Sequence, residues 1–117
     1  PQLIVASGAR RAHATAKLMA EVFGYAKADI GIVDELYEAS PRVWLAQIRA
    51  LPASVDTVMM VGHNPEITAL VAQLCPGARI DNVPTCGVLC LDYEVRDWAG
   101  IASARPVRWD FDYPKKG

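Results

Sequence analysis

The chain has 117 residues, 52% of them apolar and 21% charged, with a formal net charge of −1 at pH 7. That length suits one domain around one core, and the composition is globular rather than disordered or collagen-like. Without a basic excess, nucleic acid and anionic membrane surfaces are not expected as partners. Cys75, Cys86 and Cys90 are odd in number and lack Cys-x-x-Cys spacing, which speaks against a disulfide framework or a zinc site and for a reducing, cytoplasmic setting. No signal-peptide pattern is read, and no apolar run reaches the roughly 18 residues of a membrane helix.

Leu3-Ile4-Val5-Ala6 predicts a short buried strand, with Ser7 as N-cap of a helix from about Gly8 to Phe23. Ala12, Ala16, Met19 and Phe23 form that helix's apolar stripe, and Gly24 is its stop. The strand pattern starts within two residues of Pro1, so a segment ahead of Pro1 is expected. Ile30–Val33 predicts a second strand. Ser40-Pro41 then opens a helix whose apolar positions are Trp44, Leu45, Ile48 and Leu51, ended by Pro52. The next strand is expected over Thr57–Gly62. Asn64 as N-cap and Pro65 at the first helical position start a helix with the face Ile67, Leu70, Val71 and Leu74, broken at Cys75-Pro76-Gly77. Val88–Leu91, a continuous apolar run, predicts a central strand. Val107, Trp109 and Phe111 alternate with polar residues and predict one near an edge. A stretch with Asp97, Trp98 and Gly100 joins these two, and Lys115-Lys116-Gly117 is a polar tail. Alternating strands and helices imply an α/β fold with a largely parallel sheet.

The first and third strand–helix units share a design. If both strands are parallel in one sheet, Ser7 and Asn64 mark helix starts at the same carboxyl edge, where open α/β sheets bind ligands and helix N-termini favour anions. Arg11, about one turn into its helix, can lean back over the strand end, and its guanidinium fork suits phosphate oxygens. His63 stands at the end of the third strand. Position alone leaves it either a backbone-bonded structural histidine or a catalytic one, and Arg11 taken alone is more simply a solvated helix arginine. Arg10, about 100° further round, and His13, among alanines, read as surface residues. Asn64 and Pro65 have a complete structural explanation and would orient His63 without reacting.

Ser7-Gly8-Ala9-Arg10-Arg11-Ala12-His13-Ala14-Thr15-Ala16 resembles the Ser-Pro-Ala-x-Arg-Ala-x-Gln-Thr-Ala segment of the histidine phosphatase superfamily. Leu36-Tyr37-Glu38-Ala39, Val61-Gly62-His63-Asn64-Pro65 and Pro84-Thr85-Cys86-Gly87-Val88 resemble segments of its SixA-type phosphohistidine phosphatase branch. The resemblance runs in order along nearly the whole chain. It implies a three-layer sandwich of the phosphoglycerate mutase-like kind, a mostly parallel central sheet with helices on both faces. Residues 1–117 would be a single such domain without its first strand and helix.

The resemblance further implies that Arg11 and His63 are catalytic and phosphate-binding residues, with Ser7 and Asn64 in support and no metal or other cofactor. The attacking histidine of such enzymes lies in an Arg-His-Gly motif, which is absent from these 117 residues and would belong to the missing amino-terminal segment. Gly8 stands where the family has Pro, and Ala14 where it has Gln. The expected function is hydrolysis of a phosphohistidine, or of a small phosphomonoester, through a phosphohistidine intermediate. The partner would be a phosphorylated protein or a small phosphorylated molecule. The short connection from Leu51 to Asp56 leaves no obvious large lid, which favours an open pocket. The alternative is a non-catalytic phosphoryl-binding module. A generic nucleotide-binding domain ranks below both, since no Gly-rich phosphate loop follows any strand. Glu35, Glu38 and Glu66 are candidate acids by location, and none is assigned that role.

Overall fold

The computed structural model describes residues 1–84 and 87–114. Thr85 and Cys86, in the expected Pro-Thr-Cys-Gly-Val segment, and the tail Lys115-Lys116-Gly117 lie outside the described residues. The elements follow the expected order: β1 (Leu3–Ser7), α1 (Arg10–Phe23), β2 (Gly31–Val33), α2 (Pro41–Arg49), β3 (Val58–Val61), α3 (Glu66–Leu74), β4 (Val88–Asp92) and β5 (Arg108–Asp112). Short 3-10 turns at Lys27–Asp29, Asp34–Leu36, Pro76–Ala78 and Trp98–Ala102 fill the connections. No helix among the described residues is long and apolar enough to cross a membrane.

The first three strands form one parallel sheet in the order β2-β1-β3. Ser7 pairs with Val33 on one side of β1, and Ala6 pairs with Val61 on the other. Alternation along the strands sorts their side chains into two apolar clusters. Ile4, Ala6 and Val61 join Ala12, Ala16 and Ala20 of α1. Val5 joins Leu36, Trp44 of α2 and Leu70 of α3, with Leu3, Val58 and Met60 packed around them. Alanines at every fourth position make the sheet-facing side of α1 smooth, so the helix can lie close against the strands. The expected stripe is shifted accordingly: Ala20 is buried, whereas Phe23, the last residue of the helix, is 51% exposed.

The carboxyl ends of the strands bring further corrections. Ser7 is the last residue of β1 rather than a helix cap, because its backbone extends the ladder with Val33. Its hydroxyl accepts the Ala9 N–H at 3.3 Å, and α1 starts only at Arg10, with Ala9 at the N-cap and no side-chain cap bond. Pro65 immediately precedes α3 instead of occupying its first position, and the helix begins at Glu66. Ser40 does stand at the N-cap of α2, but its side chain makes no capping bond. That helix stops at Arg49, before Leu51.

The largest difference concerns Val88–Leu91. Instead of entering the parallel sheet as a central strand, β4 pairs antiparallel with β5 in a separate two-stranded sheet. Val88 is 41% and Trp109 46% exposed. Apolar residues on both sides of a strand permit central burial but do not by themselves supply a neighbouring ladder. The cross-strand pairs Leu89–Phe111 and Leu91–Trp109 hold this hairpin instead. Its connection docks on the main body through the Trp98 indole N–H, which donates to the Val55 carbonyl at 2.7 Å. At the end of β4, burial pushes the Tyr93 phenol above its usual range, with Cys75 adding to the shift and Arg105 opposing it.

Trp44 is wholly buried, and its ring lies against Gly62, directly after β3. A β-carbon built on Gly62 would stand 2.6 Å from Trp44 Cη2 and 2.7 Å from Ile67 Cδ1. Only a residue without a β-carbon fits there unless the indole moves. Gly62→Ala is therefore expected to destabilise the fold by about 1–3 kcal/mol through overpacking. Urea unfolding should show a lower midpoint with an unchanged slope.

Candidate phosphate-binding edge

Because β1, β2 and β3 are parallel, the chain leaves all three at the same edge of the sheet. The segment Gly8-Ala9 carries it from β1 into α1, so Arg10 and Arg11 are the first two helical residues. Arg11 thus lies in the first turn, nearer the start of the helix than a helix starting at Gly8 would place it. Next to it, β3 ends at Val61, and Gly62 leads into His63. Beyond β1 on the other side, Asp34 follows β2 directly. Topology therefore delivers Arg11 and His63 to one edge from two adjacent strands.

Arg10, Arg11 and His63 are all exposed. Among the described residues, the ion pairs are Lys27–Glu21 and Arg108–Asp92, and neither involves this edge. The side chains of Arg10, Arg11 and His63 also take part in none of the side-chain hydrogen bonds among those residues. Cationic or donor groups left without protein partners, close to the uncapped start of α1, can serve an external anion. His13, expected at the surface, is half-buried on α1. Glu66 opens α3, where its charge complements the helix dipole, and it is only 7% exposed. Glu35 and Glu38 are exposed. No group of three or more His, Cys, Asp or Glu side chains arranged to hold a metal ion occurs among the described residues.

Asn64 anchors the turn that carries His63. Its Oδ1 accepts the Thr68 N–H at 3.2 Å and the Thr68 hydroxyl at 2.8 Å. Its amide donates to the Val83 carbonyl at 2.7 Å and to Asn82 Oδ1 at 3.4 Å. The Val83 N–H in turn donates to Thr68 Oγ1 at 3.0 Å. Asn64 stands one residue ahead of the N-cap position, yet its Oδ1 still caps the first turn through Thr68, the third residue of α3, and its amide reaches a segment 19 residues away. The bonds to Thr68 are local, four residues along the chain, whereas local spacing does not disclose Asn82 and Val83, whose bonds form only when the chain folds back after α3.

Two shallow clefts flank this region. One, of about 530 Å³, runs along α3 between Asn64, Pro65, Thr68 and the Ile80–Asn82 segment. The other, of about 380 Å³, is bounded by Gly8, Ala9, Arg10, Asp34 and Tyr37. Asp34 is a further residue of this edge that the sequence reading did not single out. Its position emerges from the pairing of β2 with β1, and only the neighbouring Leu-Tyr-x-Ala segment hinted at it.

Asn64→Ala would strand the Val83 carbonyl and the Thr68 N–H, and is expected to cost about 1–3 kcal/mol. Amide exchange at Thr68 and Val83 should speed up more than exchange in β1, whereas uniform protection across both regions would contradict this anchoring.

No protein-family model matches the chain, and no curated protein matches it. Two solved structures do, each of a putative phosphohistidine phosphatase SixA. The crystal structure from Agrobacterium tumefaciens is 30% identical, with a TM-score of 0.75 over 97% of this chain and 68% of that one. The structure from Nakamurella multipartitia shares the fold at 24% identity, with a TM-score of 0.70 over 99% of this chain and 73% of that one. Similarity of this extent, in sequence as well as in fold, makes the chain a member of the SixA-type phosphohistidine phosphatase branch of the histidine phosphatase superfamily.

Proposed function

We propose that this chain forms the phosphoryl-binding part of a phosphatase that acts on phosphohistidine, with Arg11 and His63 holding the phosphoryl oxygens. The observation that carries the reading is the delivery of these two side chains, partnerless among the described residues, to one sheet edge from adjacent parallel strands. Arg11 offers a planar fork of donors to two oxygens. His63 supplies a further donor across the edge, and the first amides of α1 add partial positive charge. In phosphoryl transfer, charge spreads over the equatorial oxygens, so donors fixed around them stabilise the transition state.

Ser7 and Asn64 are supporting residues in this scheme. Ser7 shapes the turn before α1 through its bond to the Ala9 N–H, and Asn64 fixes the turn after β3. The attacking group would be a histidine of the Arg-His-Gly type, supplied by coding sequence ahead of Pro1. In the complete domain, the parallel sheet would be the middle of a three-layer sandwich. The substrate is either a protein-borne phosphohistidine or a small phosphorylated molecule, met in the cytoplasm.

Titrating inorganic phosphate into the 117-residue chain by calorimetry tests the binding site directly. Arg11→Ala and His63→Ala are each expected to weaken binding about tenfold or more, the value of a charge-assisted hydrogen bond. Undiminished affinity in both variants would overturn the assignment. Reading the codons ahead of Pro1 and assaying phosphate release from the product of the whole reading frame then separates an enzyme from a binding module.

A further inference from the structure

The cleft beside β2 holds a group that a phosphate site alone does not call for. Asp34 places a carboxylate on the same sheet edge, one strand over from Arg11 and two from His63. Among the described residues that carboxylate takes part in no side-chain hydrogen bond and in neither of the ion pairs. Gly8 makes room for it: a β-carbon there would overlap the Asp34 carboxylate and stand 3.3 Å from Asp34 Cα. The Tyr37 N–H donates to the Asp34 carbonyl at 3.0 Å, which ties the two residues into one turn. The Tyr37 ring is 56% exposed on the cleft wall.

A free carboxylate near a phosphoryl site repels the phosphoryl group. It helps binding only when the group attached to phosphorus carries positive charge or an N–H donor. An N-phosphorylated imidazole meets that condition: protonated on its second nitrogen, it is a cation with one N–H donor on a flat ring. Such a ring can donate to a carboxylate and stack on an aromatic wall. The alkyl group of a phosphomonoester such as phosphoserine offers no ring and no donor at that position.

We propose that Asp34, with Tyr37 as its aromatic wall, is the specificity-determining residue of this chain, selecting the imidazolium form of phosphohistidine over phosphomonoesters. The proposal rests on the phosphoryl-binding role of Arg11 and His63 given above. Calorimetric titrations of inorganic phosphate, phosphohistidine and phosphoserine are compared near pH 6.5, where an ordinary imidazole is about half protonated.

The wild-type chain is expected to bind phosphohistidine about tenfold more tightly than phosphoserine, as for one charge-assisted contact. Asp34→Asn, a change of charge without a change of shape at an exposed position, should bring that ratio close to one. Tyr37→Leu should reduce it severalfold. A wild-type chain that binds phosphate but prefers neither phosphoamino acid would overturn this inference alone, as would an Asp34→Asn variant that keeps the preference. A wild-type chain that binds no phosphate would overturn the phosphoryl-binding reading and this inference with it.

Discussion

The parallel pairing of β1 with β3 is the constraint on which the rest of the molecule depends. Parallel neighbours cannot be joined by a tight turn, so the chain must leave each strand at one edge and cross back through a helix. That requirement places the starts of α1 and α3, and with them Arg11 and His63, at the same carboxyl edge of the sheet. It also surrounds β1 with hydrogen-bonding neighbours, leaving Ile4, Val5, Ala6 and Ser7 buried. Alternation then divides the apolar side chains between the α1 cluster and the Trp44 cluster. Burying an Ile or Val in either is worth roughly 1.5–3 kcal/mol relative to exposure, so the strand that positions the edge is also among the best stabilised.

The edge itself is built differently from the core beneath it. Beyond the Ile67 N–H donated to its carbonyl, His63 is held by its neighbours: Trp44 packs under Gly62, and Asn64 ties the turn to Thr68 and Val83. The side chains of Arg11 and His63 are left exposed and, among the described residues, without hydrogen-bond or ion-pair partners. Pairing them internally would satisfy them and compete with the phosphoryl group that they are proposed to hold. Asp34 fits the same pattern with the opposite sign, and its separation from Arg11 by the width of a strand means that one edge presents both charges, as the proposed recognition of phosphohistidine requires.

The β4–β5 hairpin shows what an apolar run can and cannot specify. Val88-Leu89-Cys90-Leu91 is as continuous as the apolar part of β1, yet it alternates between exposed and half-buried residues in the fold. Ladder partners, not side-chain hydrophobicity, decide whether a strand lies inside a sheet. Here the cross-strand pairs with β5 and the docking of Trp98 on Val55 set its place.

The order and type of the elements were legible in the sequence because they rest on local chemistry. Apolar runs mark the strands, periodic apolar residues mark the helices, and Gly24 and Pro52 mark stops. The motifs around Arg11 and His63 also identified the branch, since they are short contiguous strings. Helix starts were less legible: Ser7 and Asn64 are both good capping residues, but the ladder with Val33 keeps Ser7 in its strand, and Asn64 caps the first turn of α3 at Thr68 from one residue ahead of the N-cap position. Tertiary structure alone decided the burial of Glu66, the contact of Trp44 with Gly62, the anchoring of Asn64 to Val83, and the placing of Asp34 beside Gly8. Each of these joins residues that meet only after the sheet has formed, and no periodicity within one segment encodes which distant side chain will lie across from it.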